Sequence, residues 1–218
     1  MTLRPLTLSG WQKKFGEIFN ERNQRCDTDD DIMFHLYEHL TKCFESLRKE
    51  RFDEIAARLP HIFCWLCAFC NRQHIEMTDV VWEKYPNVCP YGLEEQGCVC
   101  IAREVAYQPT LPELLRYRND QTKRQYDVPG IQAMFARIFG PVNSIKPLLA
   151  VLSHLLEEVS EVGKDWRKKR METIDAEVAD TFAQLCAVAT KLGRNLDDLI
   201  WKTYPGVCHK CNREKCAC

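Results

Sequence analysis

The chain repeats itself, and that repeat constrains the fold more than any other feature. A shift of 119 residues lays His35-Leu36 on His154-Leu155, Glu38 on Glu157 and Arg48-Lys49 on Arg167-Lys168. The same shift lays Phe63 on Phe182, Leu66-Cys67-Ala68 on Leu185-Cys186-Ala187, and Asp79 and Trp82 on Asp198 and Trp201. YPNVC, ending at Cys89, falls on YPGVC, ending at Cys208. Upstream, at a shift of 120, GWQKKFGEIF from Gly10 resembles GIQAMFARIF from Gly130. The chain is a tandem duplication, so each unit must find a similar local structure.

Each unit has the period of helices. A short helix is expected around Phe15, Ile18 and Phe19, and again around Phe135, Ile138 and Phe139. Two longer amphipathic helices follow, then a shorter one stopped by Tyr-Pro, because the residue before proline is pushed out of the α region. No stretch sustains the alternation of a strand. The expected class is all-α: two helical units packed as an intrachain pseudo-dimer, each closed by a cysteine-rich tail. The first unit is expected over 1–105, a connector over 106–127 and the second unit over 128–218. Gln108 to Pro112, QPTLP, should break structure, with PELLRYR able to form a short helix.

Composition narrows the function classes. About 45% of the 218 residues are hydrophobic, enough for a core, and the formal net charge is −1. Such a balance gives no general basic field, so direct nucleic-acid binding is not expected. No run approaches the roughly 18 apolar residues of a membrane span. The first residues, MTLRPLTLSGWQKKF, lack the apolar core of a signal peptide. The expectation is a soluble cytoplasmic protein without a membrane partner.

The second unit carries an acidic constellation. On a helical wheel, Val151, Leu152, Leu155, Leu156, Val159 and Val162 form one apolar face. Glu158 and Glu161 sit beside that face as i,i+3 neighbours, whereas Glu157 points toward solvent. On the next helix Ile174, Val178, Phe182, Leu185 and Ala189 form the stripe, with Glu177 and Asp180 at its edge. Packed antiparallel, the two helices would bring both pairs together. Four ionised carboxylates near a core repel one another and suffer desolvation. A hard divalent cation relieves both, and an all-oxygen set suits Mg²⁺ or Mn²⁺. Two ordinary helices with solvated acidic faces are the simpler alternative for any one such pair.

EEVSE (Glu157 to Glu161) and EVAD (Glu177 to Asp180) resemble the EExxE…ExxD signature of the MazG-like, all-α nucleoside triphosphate pyrophosphohydrolases. The resemblance runs over about Gly130 to Pro205, and through the repeat over Gly10 to Pro86. It implies cleavage of an NTP or dNTP between the α and β phosphates, giving a nucleoside monophosphate and pyrophosphate. It implies that Glu158, Glu161, Glu177 and Asp180 hold Mg²⁺ (or Mn²⁺), and that Glu161, with Glu158, serves catalysis by orienting or deprotonating the attacking water. Basic residues must then meet the phosphates. Lys164, Arg167 and Lys168, in the loop KDWRKKR between the acidic helices, are the first candidates, and Lys191 a further one. His154 recurs as His35 in the unit without acids, which favours a structural role.

In the first unit the acids are gone. Glu158 falls on His39, Glu161 on Lys42, Glu177 on Arg58 and Asp180 on His61. That set cannot hold Mg²⁺, so the first unit should be catalytically dead. Family members usually pair, so a tandem chain would complete the pair internally, and further homo-oligomers are open. A sharper alternative makes the four residues an anion pocket.

Thirteen cysteines remain. Cys208, Cys211, Cys216 and Cys218 read C-x₂-C-x₄-C-x-C, a set that suits tetrahedral Zn²⁺. The first unit keeps Cys89, Cys98 and Cys100, with Gly92 where Cys211 would be, and needs a fourth ligand from elsewhere. Cys64, Cys67 and Cys70 fit buried core positions better than ligand positions. The leading function is Mg-dependent hydrolysis of a nucleoside triphosphate. The alternatives are a non-hydrolytic nucleotide sensor or regulatory subunit, and a zinc-stabilised interaction protein.

Overall fold

The computed structural model describes residues 3–98 and 109–218. Every regular element among them is helical, and none is a strand. The first unit holds α1 (Leu8–Cys26), α2 (Asp29–Arg48), α3 (Phe52–Gln73) and α4 (Met77–Lys84). The connector holds α5 (Leu111–Asn119) and a 3₁₀ turn (Gln121–Lys123). The second unit holds α6 (Val128–Ile145), α7 (Leu148–Lys168), α8 (Met171–Lys191) and α9 (Leu196–Thr203).

Local chemistry sets the helix ends. Thr7 accepts the Gly10 N–H at 3.0 Å to start α1, and Asp127 accepts the Gly130 N–H at 2.7 Å to start α6. Each cap satisfies an N–H that has no intrahelical partner. These first helices are not short, as the sequence suggests, but 19 and 18 residues long. Their caps stand a full two turns before the aromatic cluster, and α6 continues past Pro141. A proline inside a helix leaves the carbonyl four residues earlier without its donor. Here that carbonyl, Arg137 O, accepts the Gly97 N–H at 3.0 Å, so the first unit's tail fills the gap. In the connector, α5 begins at Leu111 and so overrides part of the expected break. Pro112 stands in its first turn, where a missing N–H is harmless; Gln108 lies outside the described residues.

The duplication is visible in the backbone. Left-handed residues recur at the 119-residue shift: Glu50 and Lys169, His74 and Gly193, Asn87 and Gly206, Leu93 and Asn212. The two tail loops close alike. Cys89 N–H donates to Glu94 O and Leu93 N–H to Cys89 O; Cys208 N–H donates to Arg213 O and Asn212 N–H to Cys208 O, all at 2.8–2.9 Å.

One continuous apolar core joins both units. Phe63 on α3 and Phe182 on α8, matched positions of the repeat, are fully buried with ring centroids 5.7 Å apart. The short last helices cross over: α4 lies against α8, and α9 against α3. Tyr85 packs on Phe135 and Phe139 of the second unit, and Tyr204 packs on Phe15 and Phe19 of the first. The tails follow the same rule. Cys98 N–H reaches Ile138 O, and Cys216 N–H reaches Ile18 O, both at 2.8 Å. Cys64, Cys67, Cys70 and Cys186 are buried in this core, and burial pushes their thiols upward. No described helix is long and apolar enough to cross a membrane.

Candidate metal centres and the matched basic pocket

The hairpin of α7 and α8 builds the acidic site. Val151, Leu152, Leu155, Val159 and Val162 are buried, as are Ile174, Val178, Phe182, Leu185 and Ala189. Glu157 is exposed. Burying these stripes against each other fixes Glu158 on one helix opposite Glu177 and Asp180 on the other. Each of the three offers an oxygen within 4.8 Å of the others, close enough to share one cation. Glu161 is not among them; its carboxylate is ion-paired with Lys164, one turn along the same helix.

The groups around the carboxylates come partly from the first unit. Lys84, the last residue of α4, forms an ion pair with Asp180, and Tyr85 donates its hydroxyl to the other oxygen of the same carboxylate. His154 Nε2 lies 2.8 Å from Glu158 Oε1. Asp180 is buried, and desolvation raises its pKa against the lowering effect of Lys84 and Tyr85. Glu177 is raised too, by desolvation first and then by Asp180. Tyr85 is pushed well above the usual phenol range by burial and then by the Asp180 charge. Tyr91, from the first unit's tail, is pushed up to about 12 by burial and by Asp180, Glu158 and Glu177. A site where burial raises Glu177 and Asp180, and which offers hard oxygens at one point, fits a divalent cation.

The other expected residues fall elsewhere. Lys164, Arg167 and Lys168 are not in a loop, since α7 runs to Lys168 and only Lys169 and Arg170 separate it from α8. The left-handed Lys169 closes the helix in a tight turn. Lys164 is held by Glu161, while Arg167 and Lys168 are exposed. Lys191 donates to the carbonyls of Asn143 and Ser144, at 3.3 and 2.8 Å, and so caps the end of α6. The cation that does reach the acids is Lys84. Sequence reasoning missed Lys84 and Tyr85, having taken Tyr-Pro only as a helix stop. Its recurrence in both units was the available signal.

At the matched place in the first unit lies a cavity of about 290 Å³. His39, Lys42, Arg58 and His61 all line it, together with Arg22, His209 and Lys210. Tyr204 hydroxyl lies 2.6 Å from His61 Nδ1, as its counterpart Tyr85 meets Asp180. The His39 and His61 rings stack at 4.9 Å. Burial, then neighbouring charged groups, lowers His39 to about 4 and His61 to about 3.

Two further groups can hold a metal. Cys208, Cys211, Cys216 and Cys218 bring their sulfurs within 4.8 Å of one another. Cys208 and Cys218 are 3.9 Å apart. A tetrahedron with Zn–S bonds of 2.3 Å has sulfurs about 3.8 Å apart. Cys211 is held down to about 6, chiefly by the Ala217 N–H, which favours the thiolate that binds metal. In the first unit Cys89, Glu94 and Cys98 form a similar group. Cys100 lies outside the described residues.

No protein family, no curated protein and no solved structure matches the chain.

The raised pKa of Glu177 gives a testable linkage. A carboxylate with a raised folded-state pKa contributes stability below its unfolded value and loses it as the pH rises through the folded value. In magnesium-free buffer, Glu177→Gln should therefore raise the melting temperature relative to the parent at pH 7, and lose that advantage by pH 4. Thermal unfolding of both proteins at the two pH values checks it.

Proposed function

We propose that the acidic site hydrolyses a nucleoside triphosphate, NTP or dNTP, to the monophosphate and pyrophosphate with the help of Mg²⁺ or Mn²⁺. The observation that carries this reading is the meeting of Glu158, Glu177 and Asp180 beside Lys84. The resemblance to the MazG-like pyrophosphohydrolases supports it through the same acidic positions. A bound Mg²⁺ would neutralise phosphate charge and make water more acidic.

The chain's own residues then divide the work. Glu158, Glu177 and Asp180 would hold the cation. Lys84, seated on Asp180, would be placed to offer its ammonium to a phosphate oxygen if a divalent cation satisfied that carboxylate. Tyr85 keeps Asp180 oriented through its hydroxyl. Glu161, released from Lys164, is placed one turn from Glu158 to accept the proton of the attacking water. Lys164 is then free for the triphosphate, with Arg167 and Lys168 next along the helix.

We read the two units as a pseudo-dimer inside one chain. The contact of Phe63 with Phe182 and the exchange of α4, α9 and both tails support this. The C-terminal cysteine group is read as a structural Zn²⁺ site. The second functional reading, a nucleotide sensor without turnover, is favoured by the ion pair that Lys84 makes on Asp180, since a cation already satisfies part of the site.

Pyrophosphate release from a panel of NTPs and dNTPs with Mg²⁺ separates the two. Turnover that falls at least about a hundredfold in Glu158→Gln and in Asp180→Asn is expected. Nucleotide binding with no pyrophosphate from any substrate would leave the sensor.

A further inference from the structure

The charge reversal in the first unit leaves a built cavity. Four cations line it, Arg22, Lys42, Arg58 and Lys210, against one carboxylate, Glu38. Arg22 and Lys42 already have partners in Asp27 and Glu38. Arg58 and Lys210 have no carboxylate partner among the described residues. His39 Nδ1 is buried with no hydrogen-bond partner among the described residues, although a buried polar atom ordinarily finds one. Its neighbour His61 is neutral near pH 7, so both rings can offer N–H groups without adding charge. A cavity of about 290 Å³ is at the lower edge of volumes that hold a small ligand.

We propose that this pocket binds a linked di- or triphosphate group, by Arg58, Lys42 and Lys210, with the His39 ring as a further polar contact. Cations that converge on a concave site suit phosphate oxygens, and guanidinium suits them best. The set that would hold Mg²⁺ in the second unit is replaced here, so the anion binds without a metal. The shared chemistry has two sources, free pyrophosphate or the phosphate end of a nucleotide. Lys210 stands on the cysteine loop whose Cys208, Cys216 and Cys218 also line the cavity, so that loop's order sets the rim. None of this requires turnover at the acidic site.

Calorimetric titration of the full chain in magnesium-free buffer tests it, where Lys84 stays paired with Asp180 at the acidic site. The probes are pyrophosphate, orthophosphate and an α,β-methylene nucleoside triphosphate. Pyrophosphate or the triphosphate should bind, more tightly than orthophosphate, and Arg58→Gln should weaken that binding at least tenfold. Lys210→Gln, on an exposed loop, should weaken it less and serves if Arg58→Gln does not fold. Equal binding of the two supports a phosphate-only pocket, and tighter triphosphate binding supports a nucleotide. No binding of either, or binding indifferent to both substitutions, overturns the proposal.

A different observation carries a second inference. Gly92 takes the place of Cys211, yet the two loops share one backbone. A Cβ at Gly92 would lie 2.1 Å from Glu94 Oε2. The Glu94 carboxylate thus fills the space that a side chain at position 92 would need, and its Oε2 is buried without a hydrogen-bond partner among the described residues. Cys89 and Cys98 sulfurs are 3.0 Å apart, far beyond a covalent S–S bond of about 2.05 Å. We infer that Cys89, Glu94 and Cys98 bind a second Zn²⁺, with Glu94 replacing the missing thiolate. The two thiols release their protons on binding. Zinc content of the purified full chain should be two per molecule. Cys98→Ser and, independently, Glu94→Ala should each reduce it to one after dialysis against a mild chelator. A single zinc in the parent, or two zincs unchanged by either substitution, overturns the assignment.

Discussion

Burial of Phe63 against Phe182 is the contact on which the rest of the structure depends. Both rings are inaccessible, and each belongs to the central helix of its unit. Truncating one such buried ring typically destabilises a protein by about 3–5 kcal/mol. The meaning of the contact is geometric as well as energetic. Matched elements of the two halves meet around it: α4 lies against α8, and α9 against α3. Tyr85 therefore reaches Asp180, and Tyr204 reaches His61. Each pocket is walled by the neighbouring unit's last helix and tail.

That exchange makes each half of the chain part of the other's pocket. The first unit supplies Lys84, Tyr85 and Tyr91 to the acidic site. The second supplies Tyr204, His209 and Lys210 to the basic cavity. Neither pocket is complete within its own half of the chain. In the reading proposed above, one pocket accepts a cation with its polyphosphate, and the other accepts polyphosphate alone.

Much of this was legible in the sequence because periodicity and repetition are local properties. The apolar stripes of α7 and α8 occupy the core at the residues the helical wheel selects, and the duplication reappears as matched left-handed turns. Glu158, Glu177 and Asp180 meet because those stripes bury. Other features were hidden, each for a physical reason. Glu158 and Glu161 lie about 60° apart on the wheel, and Lys164 draws Glu161 away from the group. Lys84 and Tyr85 come from the other unit, and a comparison of windows says nothing about which tail crosses to which pocket. Lys164 to Lys168 are helical because one left-handed residue, Lys169, suffices for the turn. Glu94 came into view only with the fold, because its carboxylate occupies the space over Gly92 where the matched loop has the Cys211 side chain.

The central claim is that the second unit's acids hold a divalent cation while the first unit's pocket does not. Anomalous diffraction from crystals of the full chain grown with Mn²⁺ addresses it most directly. The account predicts a manganese peak coordinated by Glu158, Glu177 and Asp180, the Lys84 ammonium moved off Asp180, and no peak beside His39 and Arg58. An empty acidic site with Lys84 still seated on Asp180, at Mn²⁺ concentrations in the millimolar range, would contradict it.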